Sequence, residues 1–333
     1  EIYNHEELRE KILKKKCNLK TRSDTEIILR LYQIYGANCV DYLEGMWAFA
    51  IYDQTKNIIL ISRDRIGEKP LYFYKKNGSF YFGSQTNFIR ELISNNSINH
   101  DKILNYLAYG YKSIERGNDC FYENIFKLEP GTNLIINNNF EFKFDKFWQP
   151  KIFENFFSEK KTNNIISSNL DKSISKICKS NLNIGLSLSG GIDSNLLLSF
   201  IIKKLGKKNI TTYSIIDNDP RYDESELINY SAKIYGVRNQ KIILDPKENH
   251  FENLNKLIRY HDKPISTINY FLQSYIYKTM AKDNIKISIS GNGADEMFAG
   301  YYQHYQLYYQ TLKKNDLKVS FKKKWLENIY PLL

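Results

Sequence analysis

Residues 186–194 read Leu-Ser-Leu-Ser-Gly-Gly-Ile-Asp-Ser. They end the apolar run 183–189 and open a helical pattern over 193–206 that stops at Gly206. The stretch is therefore a loop at the carboxyl end of a strand, leading into a helix. Two glycines let the backbone turn sharply and approach a ligand with no Cβ in the way. A helix N-terminus offers unpaired N–H groups and the positive end of its dipole, which suit phosphate. Ser189 and Ser194 add hydroxyl groups. Asp193 is out of place beside an anion unless a cation bridges the two, as Mg2+ on a nucleotide would. The plain alternative is a strand–turn–helix junction capped by Asp193 or Ser194. The spacing fits neither G-x-x-x-x-G-K-S/T nor G-x-G-x-x-G.

Around this loop, strands and helices alternate. Asn209–Ile216 reads as a strand, 223–236 as a helix ended by Gly236, and 239–244 as a strand. A helical stretch follows to about 280, then a strand over 285–290. This is the pattern of a parallel sheet with helices on both faces, with ligands bound at the strands' carboxyl ends. The first part of the chain reads differently, as α+β. Residues 23–36 have Ser23 as N-cap, acids in the first turn, helical spacing and Gly36 as a stop. Residues 46–84 read as an antiparallel meander of four strands, the last two joined at Asn77-Gly78. Residues 128–148 read as one more hairpin, and the polar stretch near 151–165 as a linker. The expected domains are 1–150 and 151–333.

With 333 residues, 42% hydrophobic and 26% charged, the chain has the balance of a soluble protein of two domains. No apolar run is long enough to span a bilayer, so no membrane partner is expected. Four scattered cysteines, Cys17, Cys39, Cys120 and Cys178, form no C-x-x-C pair and suit a cytoplasmic location. The net charge of +11 comes from dispersed lysines, with tight clusters only at 14–16 and 322–324. That distribution disfavours nucleic acid as a partner. The chain opens without Met or a signal peptide, and reads as an internal piece of a longer protein.

Ser-Gly-Gly-Ile-Asp-Ser resembles the pyrophosphate loop of the N-type ATP pyrophosphatases. A second stretch, Ser-Ile-Ser-Gly-Asn-Gly-Ala-Asp-Glu-Met-Phe-Ala-Gly-Tyr from 288, is similar to an element of the glutamine-hydrolysing asparagine synthetase family. Residues 1–10, 21–36, 43–53 and 62–73 resemble, in the same order, that family's class II glutamine amidotransferase domain. The resemblance implies an α+β glutaminase-like domain of antiparallel sheets and helices, followed by an α/β parallel-sheet ATP pyrophosphatase domain. It implies ATP contacts at Ser187, Ser189, Gly190, Gly191, Asp193, Ser194, Ile215, Ser290 and Gly291. It implies Mg2+ at Asp193 and Asp295, a catalytic part for Asp193, and glutamine contacts at Glu1 and Asp24. The 63–65 loop would brace the domain. The family's nucleophilic cysteine lies upstream of this chain, so neither Cys17 nor Cys39 is expected to act, and a homodimer stays open.

The chain departs from the family at Asn292, where relatives carry Glu, and at Lys263, where they carry an acid. A neutral amide cannot take a proton at pH 7. Glu224, Glu226 and Asp262 are the candidate substitutes. The leading expectation is ATP-driven adenylation of the aspartate side chain, then displacement of AMP by glutamine-derived ammonia. Alternatives are the same chemistry on another carboxylate such as a sugar acid, a tRNA-modifying pyrophosphatase, and a non-catalytic fragment.

Overall fold

The computed structural model describes residues 1–13, 18–76, 78–94, 96–151, 157–179, 182–312 and 315–328. In chain order the first part holds α1 (His5–Leu8), α2 (Asp24–Tyr35), β1 (Ala48–Asp53), β2 (Ile58–Arg63), β3 (Tyr72–Lys76), β4 (Ser79–Gly83), α3 (Thr86–Ile93), α4 (His100–Tyr109), β5 (Ile125–Lys127), β6 (Thr132–Ile136), β7 (Phe142–Lys146) and α5 (Glu159–Ile177). Ser23 caps α2 by accepting the Thr25 N–H at 3.1 Å, and Gly36 ends it at φ 59°. Ile27, Ile28, Leu31 and Tyr32 form its buried face, as the helical spacing requires.

Residues 46–84 are not one meander. Two antiparallel sheets form, in the orders β1-β2-β6-β7 and β4-β3-β5. The turn after β2 diverts the chain. Asp64, fully buried, accepts the N–H groups of Glu68 (2.9 Å), Lys69 (2.9 Å) and Trp47 (3.3 Å). Arg63 donates to the carbonyls of Lys69, Gly67 and Leu128. These bonds fix the 63–69 turn, so β3 leaves β2 to start the second sheet, and β6 takes the place beside β2. The β6–β7 hairpin forms as the sequence indicates. The β3–β4 hairpin also forms, with Lys76 opposite Ser79; Asn77 lies outside the described residues.

The polar stretch read as a linker is partly helix. α5 starts at Glu159, capped by Ser158. Thr162, Ile166, Leu170 and Ile174, at four-residue spacing, are its sheltered face, and the polar majority covers the rest. Residues 152–156 lie outside the described residues.

The second part continues with β8 (Ile184–Ser187), α6 (Ile192–Leu205), β9 (Ile210–Ile216), α7 (Ser225–Tyr235), β10 (Arg238–Ile243), α8 (His250–His261), α9 (Ile268–Lys282), β11 (Ile287–Ile289), α10 (Ala294–Phe298), α11 (Tyr302–Thr311) and α12 (Asn315–Asn328). The sheet is parallel throughout, in the order β10-β9-β8-β11. Of its two inner strands, β8 is buried from Ile184 through Leu186, on both faces of the sheet. Gly185 is closely covered: a Cβ would stand 3.0 Å from Met280 and Ile285 and 3.1 Å from Tyr213, so these side chains would have to shift to admit one. The helical stretch to 280 is two helices, broken where Asp262 adopts a left-handed conformation at φ 54°.

By contacts the chain divides into two units, Glu1–Lys179 with Pro246–Ser274, and Ser180–Asp245 with Tyr275–Leu333. The 246–274 segment is anchored in the first unit by Asp262. Its carboxylate accepts from Thr86 (2.7 Å), Arg90 (2.6 Å) and Tyr122 (2.8 Å). Lys263 pairs with Glu115. Burial alone would raise the Glu115 carboxyl, but Lys263 and Lys127 overcome it and hold it down at about 2. Among the described residues no helix is long and apolar enough to cross a membrane.

The 63–69 turn yields a stability prediction. Asp64→Ala removes the acceptor of three backbone N–H groups, that of Trp47 in the interior and those of Glu68 and Lys69 at its margin, which costs about 2–3 kcal/mol. Urea unfolding should show a clear drop in midpoint; an unchanged midpoint would mean that the turn is held by something else.

Candidate ATP site at the carboxyl edge of the parallel sheet

β8 and β11 are neighbours, with Ile184 opposite Ile287, Gly185 opposite Ser288 and Leu186 opposite Ile289. Parallel neighbours end at the same edge, so the loops that follow them emerge side by side. The 189–194 loop and the 290–293 loop touch: a Cβ on Gly291 would stand 3.0 Å from the Asp193 Cβ and 3.4 Å from the Ser194 N. Ser187 closes β8 opposite Tyr213 of β9, and Ile215 lies two residues further along β9, toward the same edge. Ser214 binds the Leu188 carbonyl at 2.7 Å and ties the loop's entry to β9. Ser187, Ser189, Gly190, Gly191, Asp193, Ser194, Ile215, Ser290 and Gly291 thus gather at one edge of the sheet.

The loop is braced from within. Ser194, 5% exposed, has its Oγ 3.1 Å from the Ser189 carbonyl and 3.2 Å from the Gly191 carbonyl, and accepts the Ser189 N–H at 3.2 Å. Ser189 Oγ accepts the Gly191 N–H at 3.2 Å. Asn195, which the sequence did not single out, donates to the carbonyls of Gly191 (2.8 Å) and Ser189 (3.2 Å). These bonds turn the carbonyls inward to side chains. The N-cap of α6 is Gly191, and no side chain caps the helix. The capping alternative for Asp193 and Ser194 is therefore not realised. The first N–H groups of α6 stay open to an outside acceptor, the arrangement an anion needs.

The acid stretch 222–226 divides its work. Asp223, one residue before the N-cap position, accepts the N–H of Ser225, the first residue of α7, at 2.9 Å and its hydroxyl at 2.7 Å. Glu224 reaches the pyrophosphate-type loop instead, and its Oε2 accepts the Gly190 N–H at 2.9 Å. Leu227 fills the space beside Gly190, where a Cβ would come within 2.9 Å of its Cδ1. The sequence offers Glu224 only as a candidate base; its partner in the structure lies 34 residues away.

Asn292 is exposed and precedes Gly293, which takes φ 92° at the start of α10. Asp295, in the first turn of α10, packs its carboxylate on the Gly300 backbone and leaves no room there for a side chain. Among the described residues no three His, Cys, Asp or Glu side chains gather as a metal site. Asp193 and Asp295 alone would suit an Mg2+ carried mainly by phosphate oxygens rather than by a protein cage.

In the first unit, Ile2 pairs with Gly45 and donates its N–H to Asp24 Oδ2 at 3.1 Å. Glu1 adjoins that bond, and its backbone carbonyl accepts the Met46 N–H at 3.0 Å. Glu1 and Asp24, the two glutamine candidates, are thus brought next to each other. Cys39, Cys120 and Cys178 are buried. Burial pushes the Cys39 and Cys120 thiols up to about 12, far from the thiolate that attack requires. Cys17 lies outside the described residues.

Comparison with known proteins fits both parts. Residues 1–148 match the family model of a glutamine amidotransferase domain, and residues 166–330 that of asparagine synthase. A protein of Methanocaldococcus jannaschii, named as its second glutamine-hydrolysing asparagine synthetase, is 32% identical over 91% of this chain and 58% of its own length. Asparagine synthetase 1 of Bacillus subtilis is 28% identical over 90% of the chain and 46% of its own length. The protein named as the first such synthetase of M. jannaschii is 30% identical over the whole chain and 57% of its own length. The chain therefore spans about half the length of these relatives. With a glutamine amidotransferase model followed by an asparagine synthase model, and with these relatives along about nine-tenths of its length, the chain belongs to the glutamine-hydrolysing asparagine synthetase family.

Proposed function

We propose that this chain is part of a glutamine-dependent ligase that adenylates a carboxylate with ATP and then amidates it. The observation that carries the reading is the contact between the two strand-end loops, Gly291 against Asp193, at the open N-terminus of α6. The 189–194 loop offers N–H groups to the β and γ phosphates, while Ser290 and Gly291 border the AMP part. Ile215 and the backbone of Ser187 flank the adenine. The acceptor carboxylate attacks the α-phosphorus, and the α–β bridging oxygen leaves with pyrophosphate. Ammonia then attacks the acyl carbon, AMP departs, and the nitrogen gives up one proton to leave the neutral amide. Mg2+, held by phosphate oxygens with Asp193 and Asp295, would neutralise charge on the leaving pyrophosphate. Glu1 and Asp24 would hold glutamine in a first domain over 1–150, and the ATP chemistry would occupy 151–333.

Aspartate is the acceptor the family membership favours. Asn292 favours a second reading, in which the acceptor is another carboxylate such as a sugar acid. Lys263, the other departure that favours this reading, is paired with Glu115, and Asp262, one of the candidate substitute bases, already accepts from Thr86, Arg90 and Tyr122. Glu224 is bound to Gly190. Glu226, exposed in the first turn of α7, is the remaining candidate of the three.

In the protein that carries this chain, Asp193→Ala should cut acceptor-dependent pyrophosphate release by about 10²-fold or more, with unfolding behaviour little changed. Release near the unmodified level would remove the loop from the reaction. Asn292→Glu should raise amide formation from aspartate and ammonia, since general-base help is worth about 10²–10⁴-fold. Efficient asparagine formation by the unmodified protein, with Asn292→Glu neutral or harmful, would leave aspartate as the acceptor and exclude the second reading.

A further inference from the structure

We propose that Glu224 is a gating residue of the nucleotide site, its carboxylate standing in for phosphate on the 189–194 loop until pyrophosphate-bearing substrate displaces it. The inference rests on the assignment of that loop to ATP phosphates and adds how the site is held before they arrive. The loop presents an anion-binding terminus, and one of its amides already holds an anion. Glu224 Oε2 accepts the Gly190 N–H at 2.9 Å, a charge-assisted bond.

Three features make this a built contact rather than a chance surface one. Asp223, not Glu224, satisfies the start of α7, so the Glu224 carboxylate is free to leave its own helix. Leu227, one turn on, packs into the space that only a glycine at 190 leaves open, which pins the first turn of α7 against the loop. The Glu224 Cβ itself lies 3.4 Å from where a Gly190 Cβ would be. The first turn of α7 therefore lies directly against the loop, and the carboxylate can leave Gly190 by side-chain rotation alone. Glu224 is solvent-exposed, so that swing is open to it and water can receive the released charge.

A carboxylate left in place would repel the phosphate that takes its amide. The apparent affinity for phosphate is then reduced by the fraction of loops that are occupied. An exposed charge-assisted bond of this kind corresponds to about a three- to tenfold loss of affinity. The opposite role, in which Glu224 merely holds Gly190 in shape, predicts the opposite sign when its side chain is removed.

The test is calorimetric titration, with magnesium pyrophosphate, of the protein that carries this chain and of its Glu224→Gln, Glu224→Ala and Asp193→Ala variants. Glu224→Gln keeps the shape and removes the charge; Glu224→Ala removes both. Both should bind pyrophosphate roughly three- to tenfold more tightly than the unmodified protein, while Asp193→Ala loses binding. Unchanged or weaker binding in the two Glu224 variants, with Asp193→Ala still defective, overturns the gate and leaves the phosphate loop standing. Absence of binding in all four proteins overturns the loop assignment and the gate with it.

Discussion

The site depends on the parallel pairing of β8 with β11. One strand lies more than a hundred residues after the other, yet register aligns Ile184 with Ile287 and Leu186 with Ile289. From that pairing the rest follows by geometry. Two loops that leave adjacent parallel strands at the same end have nowhere to go but beside each other, and Gly291 meets Asp193. A Cβ would be tight there, 3.0 Å from the Asp193 Cβ, and tight at Gly185, where Met280, Ile285 and Tyr213 close over the strand. The loop's own hydroxyls and Asn195 absorb its carbonyls, so the N–H groups at the start of α6 are the polar groups left to a ligand. Preorganisation of this kind means that the donors need not be rearranged when an anion arrives.

The first unit rests on a different device, a buried charge satisfied by main chain. Asp64 and Arg63 spend their polar atoms on backbone groups of the 63–69 turn, of Trp47 and of Leu128. A buried carboxylate is tolerated because each oxygen is bonded. The same principle recurs at Asp262, which draws the 246–274 segment into this unit through Thr86, Arg90 and Tyr122. The compact units are therefore not two consecutive halves of the chain, although the family models are.

Local signals were legible in the sequence: the cap at Ser23, the stop at Gly36, the hairpin of β6 and β7, and the strand–loop–helix at 184–205. Each depends on neighbours within a few residues. The departure from a single meander was not legible, because it is decided by Asp64 and Arg63 acting on residues up to 65 positions away. The break at Asp262 was hidden because its left-handed conformation is stabilised by partners from 86 to 122. Among the site residues, the strand-end loops could be read from their glycines. Asn195 could not, since an Asn early in a helix looks like an ordinary polar position. Glu224 was read as an acid near the acceptor, and only the fold reveals its bond to Gly190.

The central claim is that the two strand-end loops form one nucleotide site. Amide hydrogen exchange, followed with and without magnesium α,β-methylene-ATP, addresses it directly because that analogue cannot release pyrophosphate. The account predicts that peptides covering 189–194 and 290–295 gain protection together, at the same analogue concentration. Protection of one loop without the other, or protection elsewhere with both loops unchanged, would contradict it.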